Sequence, residues 1–415
     1  MFEIRTEQIW IKGTLEISNQ CHLRKNLYNQ ANYLIKHPEA QTIIVNPKTN
    51  KPYGRYEMLN ANLCDSENYQ MSQSSQQTLK IVDRDWTSFF ESLKDWKAHP
   101  DKYKSKPNPP HYKPKDGESI LIFTNQQCKI CDGWLMFPKI MNLKIKTRLF
   151  GKINQVRIVP KGTGYICEIV YEKKLTEKQI INRRWYSKLN NKDRIVGIDY
   201  GSVNIVTMGD NIGSVPIAIK DDGYGIKSVN QFYNKKKAYL QSIYDKQGIK
   251  FGSSMSRLND NRNQKIKDQM HKLSRYIVEH CVENNIGLIS IGHNEGWKQN
   301  INLGKKTNQS FVSIPFNTLT AMIQYKADEY GISVKVPEED HTSKCSFLDL
   351  EPICHQEVYL GKRIKRGLFQ SHNGTLINAD CNGMYNIIRR SEPKAFVDGV
   401  GGCVLHPLII SFEGN

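Results

Sequence analysis

Asp199 stands in VGIDYGS, at the end of an apolar run and ahead of a glycine that permits a tight turn. A carboxylate presented there, at the edge of a sheet, can bind a hard cation. Asp380 lies far downstream in LINADCNGMYNIIRR, just before a helical pattern that Asn386 and Ile387 continue. Taken alone it reads as a helix N-cap. The ten cysteines offer less. Cys128 and Cys131 have CxxC spacing, but no second CxxC follows to complete four ligands for zinc. In a chain with no export signal a disulfide framework is not expected.

The elements around these residues belong to a basic protein of more than one domain. Its 415 residues suffice for two or three cores, and 59 Lys and Arg against 41 Asp and Glu give a formal net charge of +18. The charge is spread over the whole length, which points to a polyanionic partner, with an ordinary basic enzyme as the alternative. No apolar run approaches the roughly 18 to 20 residues that span a bilayer, and the N-terminus has no signal-peptide core. No membrane partner is expected, and the expected location is cytoplasmic.

Residues 1–14 read as a strand. Leu23, Leu27, Leu34 and Ile35 recur at helical spacing, and so do Leu79, Val82, Trp86, Phe89, Phe90 and Leu93. The segment HPDKYKSKPNPPHYKPKDG is a basic, extended connector, because its prolines exclude helix and its lysines stay solvated. SILIFTN, GWLMFPKI, INQVRIVP and GYICEIVYE then suggest a small antiparallel barrel interrupted upstream by the helical insert. After a polar basic linker, KQIINRRWYSKLNNKDR, strands alternate with helices. Ile266, Met270, Leu273, Ile277 and Cys281 line one helix, GLISIG is a buried strand, and ISVKVPEED is another strand. This alternation predicts an α/β sheet with crossover connections.

Together, GIDYG and NADCNGMYNI match the first and third catalytic motifs of RuvC-like RNase H folds, and the chain resembles the TnpB family of transposon-encoded RNA-guided nucleases. LYNQAN, SQQTLK, KYKSKPNPPHYK, FTNQQCKI, KIKDQMHKLSRYIV, YKADEYGI and HTSKCSF extend the resemblance over nearly the full length. Type V CRISPR effectors share this core. The resemblance implies a multi-domain α/β plus β-barrel architecture. An oligonucleotide-binding-like wedge barrel would occupy 1–14 and 115–180, with a helical recognition insert at 15–114 and a linker at 181–193. The RuvC-like core would span 194–342 and 379–415, interrupted by a target-nucleic-acid-binding insert at 343–378.

Two-metal hydrolysis takes three or more carboxylates, and here the family pattern is broken. TnpB carries a glutamate at the end of the strand reading LISIGHNEGWKQ, where the nearest position is Gly292. VKVPEEDHTS instead puts Glu338 and Glu339 at the end of the next strand, directly before Thr-Ser-Lys, where some relatives carry relocated glutamates. Glu339 is the first choice, Glu338 the second and Glu295 the third, against the alternative of an exposed acidic loop. The family's zinc ribbon is lost from the insert. Cys345, Cys354, His355, His372 and Cys381 fit no standard ligand spacing, so no structural zinc is expected.

By resemblance, Ser75, Gln76 and Lys80, with Thr124 and Asn125, would read a short motif beside the target. Gln and Asn can pair bidentately with adenine. Lys235 and Lys236 in QFYNKKKAY sit among aromatics that could stack on bases. Arg363 and Arg366 in LGKRIKRGLFQS suggest a loop facing nucleic acid, with a solvated charge run as the alternative. The expected function is RNA-guided cleavage of double-stranded DNA at Asp199, Glu339, Asp380 and Glu338, with two Mg²⁺ ions, replaceable by Mn²⁺, and a guide RNA. A monomer is favoured. A nuclease-inactive RNA-guided DNA-binding protein is the alternative.

Overall fold

The computed structural model describes residues 2–45, 52–221, 225–250, 252–293, 314–397 and 399–411. Two compact units divide the chain, Met1–Leu175 and Thr176–Asn415.

In the first unit β1 (Phe2–Ile11) leads into α1 (Leu15–Lys36), whose Thr14 hydroxyl accepts from the backbone N–H of Ile17 as an N-cap. α2 (Arg55–Leu63) and α3 (Ser72–Ala98) follow. The two ends of α1 serve different cores. Ile17 and Cys21 pack with the strands, whereas Leu27, Tyr28 and Ala31 pack with Leu59 and Leu63 of α2 and Leu79, Val82 and Trp86 of α3. The predicted stripe of α3 is buried through Trp86 and fades beyond it, with Phe90 exposed.

The proline-rich connector is not helical apart from a single turn at Pro100–Lys102. It is not wholly solvated either. Asn29 holds Lys113 by donating to its carbonyl (2.9 Å) and accepting from its N–H (2.8 Å), and Asn32 donates to the Pro110 carbonyl. The expectation of solvated lysines fails at Lys113, whose ammonium is drawn inward to donate to the Ser119 hydroxyl (2.7 Å).

β2 (Leu121–Thr124), β3 (Lys129–Cys131), β4 (Trp134–Met136), β5 (Lys144–Lys146), β6 (Ile153–Lys161) and β7 (Gly164–Lys174) complete this unit. They form a four-stranded sheet of order β1-β7-β6-β2 and a three-stranded sheet β3-β4-β5, both antiparallel. The expected barrel is therefore two sheets around one core of Phe123, Leu135, Ile145, Val156, Ile158 and Ile169.

The second unit opens with α4 (Glu177–Leu189), where a linker was expected. Ile181, Trp185 and Leu189 recur at i, i+4 and i+8, a helical period obscured by the polar residues between them. β8 (Asn191–Tyr200), β9 (Asn204–Asp210) and β10 (Ile217–Lys220) form an antiparallel meander. α5 (Ile226–Lys246) and α6 (Ser253–Glu283) precede β11 (Ile286–Ile291), and α7 (Phe316–Glu329) precedes β12 (Ser333–Lys335). β13 (Lys362–Lys365), β14 (Leu368–Gln370) and β15 (Leu376–Asn378) make a small antiparallel sheet ahead of α8 (Ala379–Ser391) and β16 (Leu408–Ser411).

The main sheet has the order β12-β11-β8-β9-β10-β16, with β11 parallel to β8 and β12 parallel to β11. One core joins it to α6 and α7 through Ile266, Met270, Leu273 and Ile277 and through Phe316, Leu319 and Ile323. A second core joins it to α8 and the insert through Phe347, Phe369, Tyr385 and Ile388. An α/β sheet covered on both faces is what alternating strands and helices predict.

Candidate active site

Side chains alternate along a strand, and β8 sorts its residues accordingly. Val196, Ile198 and Tyr200 join the core shared with α6 and α7, whereas Ile195 joins the core built on α8. Gly197 lies on the α8 side, where a Cβ would meet Ile388 Cγ1 and the Met384 carbonyl oxygen, each at 2.7 Å. This glycine lets α8 approach the strand closely. Two residues on, the same face carries Asp199, and a Cβ on Gly383 of α8 would lie 3.0 Å from its Oδ2.

Asp380 is the second residue of α8, and it does not cap the helix. Asn378 does, its Oδ1 accepting from the N–H groups of Asp380 (2.9 Å) and Cys381 (3.2 Å). The carboxylate of Asp380 is thereby left for other partners. Asn204 at the start of β9 donates to its Oδ2 (2.9 Å), and Arg363 Nη2 of β13 lies 3.9 Å from its Oδ1.

The third carboxylate comes from Glu339. The strand expected to carry it ends at Lys335, and the chain runs on irregularly through Pro337, whose carbonyl accepts from the His293 N–H (3.1 Å) just beyond β11. Gly292 precedes that histidine, and a Cβ built on it would lie 2.7 Å from Glu339 Oε1 and 2.5 Å from Ile387 Cδ1. The carboxylate of Glu339 thus occupies the space into which a side chain at position 292 would project. Glu338 is exposed, and Glu295 lies outside the described residues.

Two asparagines of α8 fix the turn that follows Glu339. The Thr342 N–H and hydroxyl both donate to the Glu339 carbonyl (3.1 and 2.8 Å). Asn386 donates to the carbonyls of Thr342 (2.9 Å) and Cys345 (2.8 Å), and Asn382 to that of Cys345 (2.9 Å). Both asparagines are fully buried.

Burial first, then the facing charges of Glu339 and Asp380, raise the pKa of Asp199 well above the ordinary carboxylate range, and a hydrogen bond to Glu339 adds to this. Glu339 is raised as well, by burial, although its hydrogen bond with Asp199 works the other way. Arg363 partly offsets the rise at Asp199. Among the described residues no three His, Cys, Asp or Glu side chains already enclose a metal-sized cluster. The donor set is nevertheless all carboxylate oxygen, which suits a hard divalent cation.

The positions read as nucleic-acid contacts divide. Ser75 is fully buried, accepting from Arg24 and donating to the Gln70 carbonyl (2.7 Å), so it is a structural residue of α3. Gln76 hydrogen-bonds Tyr69, and Lys80 is exposed with its Nζ 5.3 Å from the Tyr56 ring centroid. Thr124 donates to Gln73 Oε1 (2.5 Å) and Gln73 donates to Gln126 (2.7 Å), which brings the start of α3 against the turn containing exposed Asn125. Lys235 and Lys236 are exposed on α5, the latter beside Phe232, itself 58% exposed. Arg366 donates to Ser202 after β8 (3.4 Å). Sequence reading missed Asn204, Asn382 and the cap Asn378. Only Asn378 left a signal, an asparagine ahead of a helical pattern.

A family model described as a probable transposase matches residues 169–298, and a Cas12f1-like TNB domain model matches residues 316–387. A TnpB-like protein of Methanocaldococcus jannaschii is 22% identical over 237 residues, covering 56% of this chain and 80% of that protein. A TnpB-like protein of Acidianus two-tailed virus is 23% identical over 349 residues, covering 77% of this chain and 72% of the relative. The fold is similar to that in a cryo-EM structure of a Cas12f1-sgRNA-target DNA complex. The TM-score is 0.51 at 14% identity, covering 91% of this chain and 82% of that one. By these matches the chain is similar to TnpB-like proteins, and its residues 316–387 are similar to a Cas12f1-like domain.

Proposed function

We propose that this protein is an RNA-guided DNA endonuclease that hydrolyses phosphodiester bonds with divalent metal at Asp199, Glu339 and Asp380. The observation that carries the reading is the carboxylate of Glu339 lying where a side chain at Gly292 would project, hydrogen-bonded to Asp199. Three carboxyl groups from separate segments meeting at one sheet end have no packing rationale, since Glu339 and Asp380 raise the cost of ionising Asp199. Bound Mg²⁺ or Mn²⁺, two ions by family resemblance, would supply an activated water and stabilise the leaving oxygen.

The chain's own residues prepare that chemistry. Asn204 holds Asp380 by its Oδ2, and the Asn382 and Asn386 amides hold the turn that presents Glu339. Arg363, beside Asp380, is suited to meet the phosphate at the cut. Sequence selection would be delegated to pairing between guide RNA and one DNA strand. The basic charge of the chain and the complexes formed by its structural relative support RNA and DNA as partners.

A second reading, an RNA-guided binder that does not cut, draws on one observation. The three carboxyl groups do not already form a metal-sized cluster. Sequencing the RNA that co-purifies with the protein, then programming it against a matched plasmid in Mg²⁺ or Mn²⁺, tests both. Cleavage only of matched DNA is expected. Matched DNA bound but left intact favours the second reading, and the absence of any bound RNA contradicts both.

A further inference from the structure

Arg24 of α1 is fully buried, and among the described residues no carboxylate forms an ion pair with it. Burial lowers its pKa to about 10, so the guanidinium is still charged at neutral pH. A buried charge without a counter-ion is costly, and a well-packed apolar residue in such a place is often neutral or stabilising. What an apolar residue cannot do is donate hydrogen bonds. Arg24 donates to the Ser75 hydroxyl and to the Asn68 carbonyl (2.9 Å). One turn earlier Gln20 donates to Gln70 Oε1 (2.9 Å).

Between these anchors the backbone is strained. Met71, the residue before α3, has φ 51° and ψ 70°, a left-handed conformation unusual for a side chain of this kind. The same junction holds Gln20 Oε1, Arg24 Nε and Ser74 Oγ, three buried side-chain atoms without a hydrogen-bond partner. Only one other such atom, Arg157 Nε, is found among the described residues. Unpaired buried polar atoms and strained backbone gathered at one place mark a segment shaped for something other than stability. That segment starts α3 and sets Gln73 against Thr124 and Gln126. Gln73, Gln76 and Lys80 follow at i, i+3 and i+7 on one face of the helix.

We propose that Arg24 is a positioning residue for target-motif selection, fixing the start of α3 so that its Gln73, Gln76 and Lys80 face and the Thr124–Gln127 turn present one register to DNA. This rests on the RNA-guided reading above. Arg24 touches no nucleic acid and acts through Asn68 and Ser75.

The test uses the full chain with its guide RNA and a library of targets randomised at the adjacent positions. Arg24→Met is expected to match or exceed wild-type thermal stability and to keep RNA affinity. Its discrimination per adjacent base pair should fall from the roughly 10–100-fold expected of direct readout toward unity. Arg24→Lys, which retains a donor, should restore part of it. Ser75→Ala, which removes the acceptor and leaves the charge, should relax discrimination in the same way and stands in should Arg24→Met not fold. Unchanged discrimination in these variants overturns the proposal. So does a loss of stability that weakens all targets equally. A wild-type protein that binds RNA and matched DNA with no preference at adjacent positions overturns both this proposal and motif-dependent targeting. Motif preference in wild type that survives in Arg24→Met overturns this proposal alone.

Discussion

The carboxyl groups of Asp199 and Glu339 hold their protons more tightly in the folded protein than in the unfolded chain, Asp199 mainly through burial and then through the charges facing it. The folded state therefore carries the extra protons. Without divalent metal, stability is fully present below the ordinary carboxylate pKa of about 4 and declines as pH rises toward the raised folded values. In chelator, Asp199→Asn is expected to melt above wild type at mildly alkaline pH, with the gap closing in mild acid. Added Mg²⁺ should raise the wild-type melting temperature most at the alkaline end, because the ligands must lose protons to bind metal, and should leave Asp199→Asn unmoved. Thermal melts across pH check both. At the same scale, Asn204→Ala frees Asp380 to turn away, and cleavage should fall by roughly 10–100-fold, the range typical of groups that orient metal ligands. A single-turnover rate measures it.

The elements show which features the sequence could reveal. Asp199 and GLISIG were legible because a buried strand writes itself as an apolar run, and the faces of α3 and α6 because a helix buries every third or fourth residue. Helix α4 is hidden in a basic stretch, and Ser75 reads as a DNA contact because burial against Arg24, a long-range pairing, leaves no local mark. The sequence ranks Glu339 ahead of its neighbour Glu338 but carries no mark of how differently the two are placed. The turn tied down by Asn382 and Asn386 separates half-buried Glu339 from exposed Glu338. If Glu339 replaces a side chain absent at Gly292, the two positions should be interchangeable. Gly292→Ala alone should push a methyl against Glu339 and Ile387 and reduce cleavage. Gly292→Glu combined with Glu339→Ala should recover part of the activity that Glu339→Ala loses. No recovery in the double variant, with its fold intact by circular dichroism, contradicts the exchange.

Across the whole molecule, a net charge of +18 dispersed along the chain predicts RNA binding dominated by phosphate contacts. The logarithm of the affinity should fall linearly with that of salt concentration, with a slope of about −0.7 to −0.9 per phosphate neutralised. A filter-binding titration over several salt concentrations reads that slope, and nearly salt-independent binding would contradict it. The catalytic claim needs the complete assembly of protein, guide RNA and matched DNA, because only there can binding be separated from cutting. The most direct measurement is cleavage of matched DNA in Mg²⁺ by wild type, Glu339→Ala and Glu338→Ala side by side, with DNA binding followed in the same samples. Wild type and Glu338→Ala should cut. Glu339→Ala should bind the same DNA with a cleavage loss exceeding the roughly 10–100-fold typical of orienting groups. A wild type that binds without cutting, or a Glu339→Ala that cuts as well as wild type, would contradict the account.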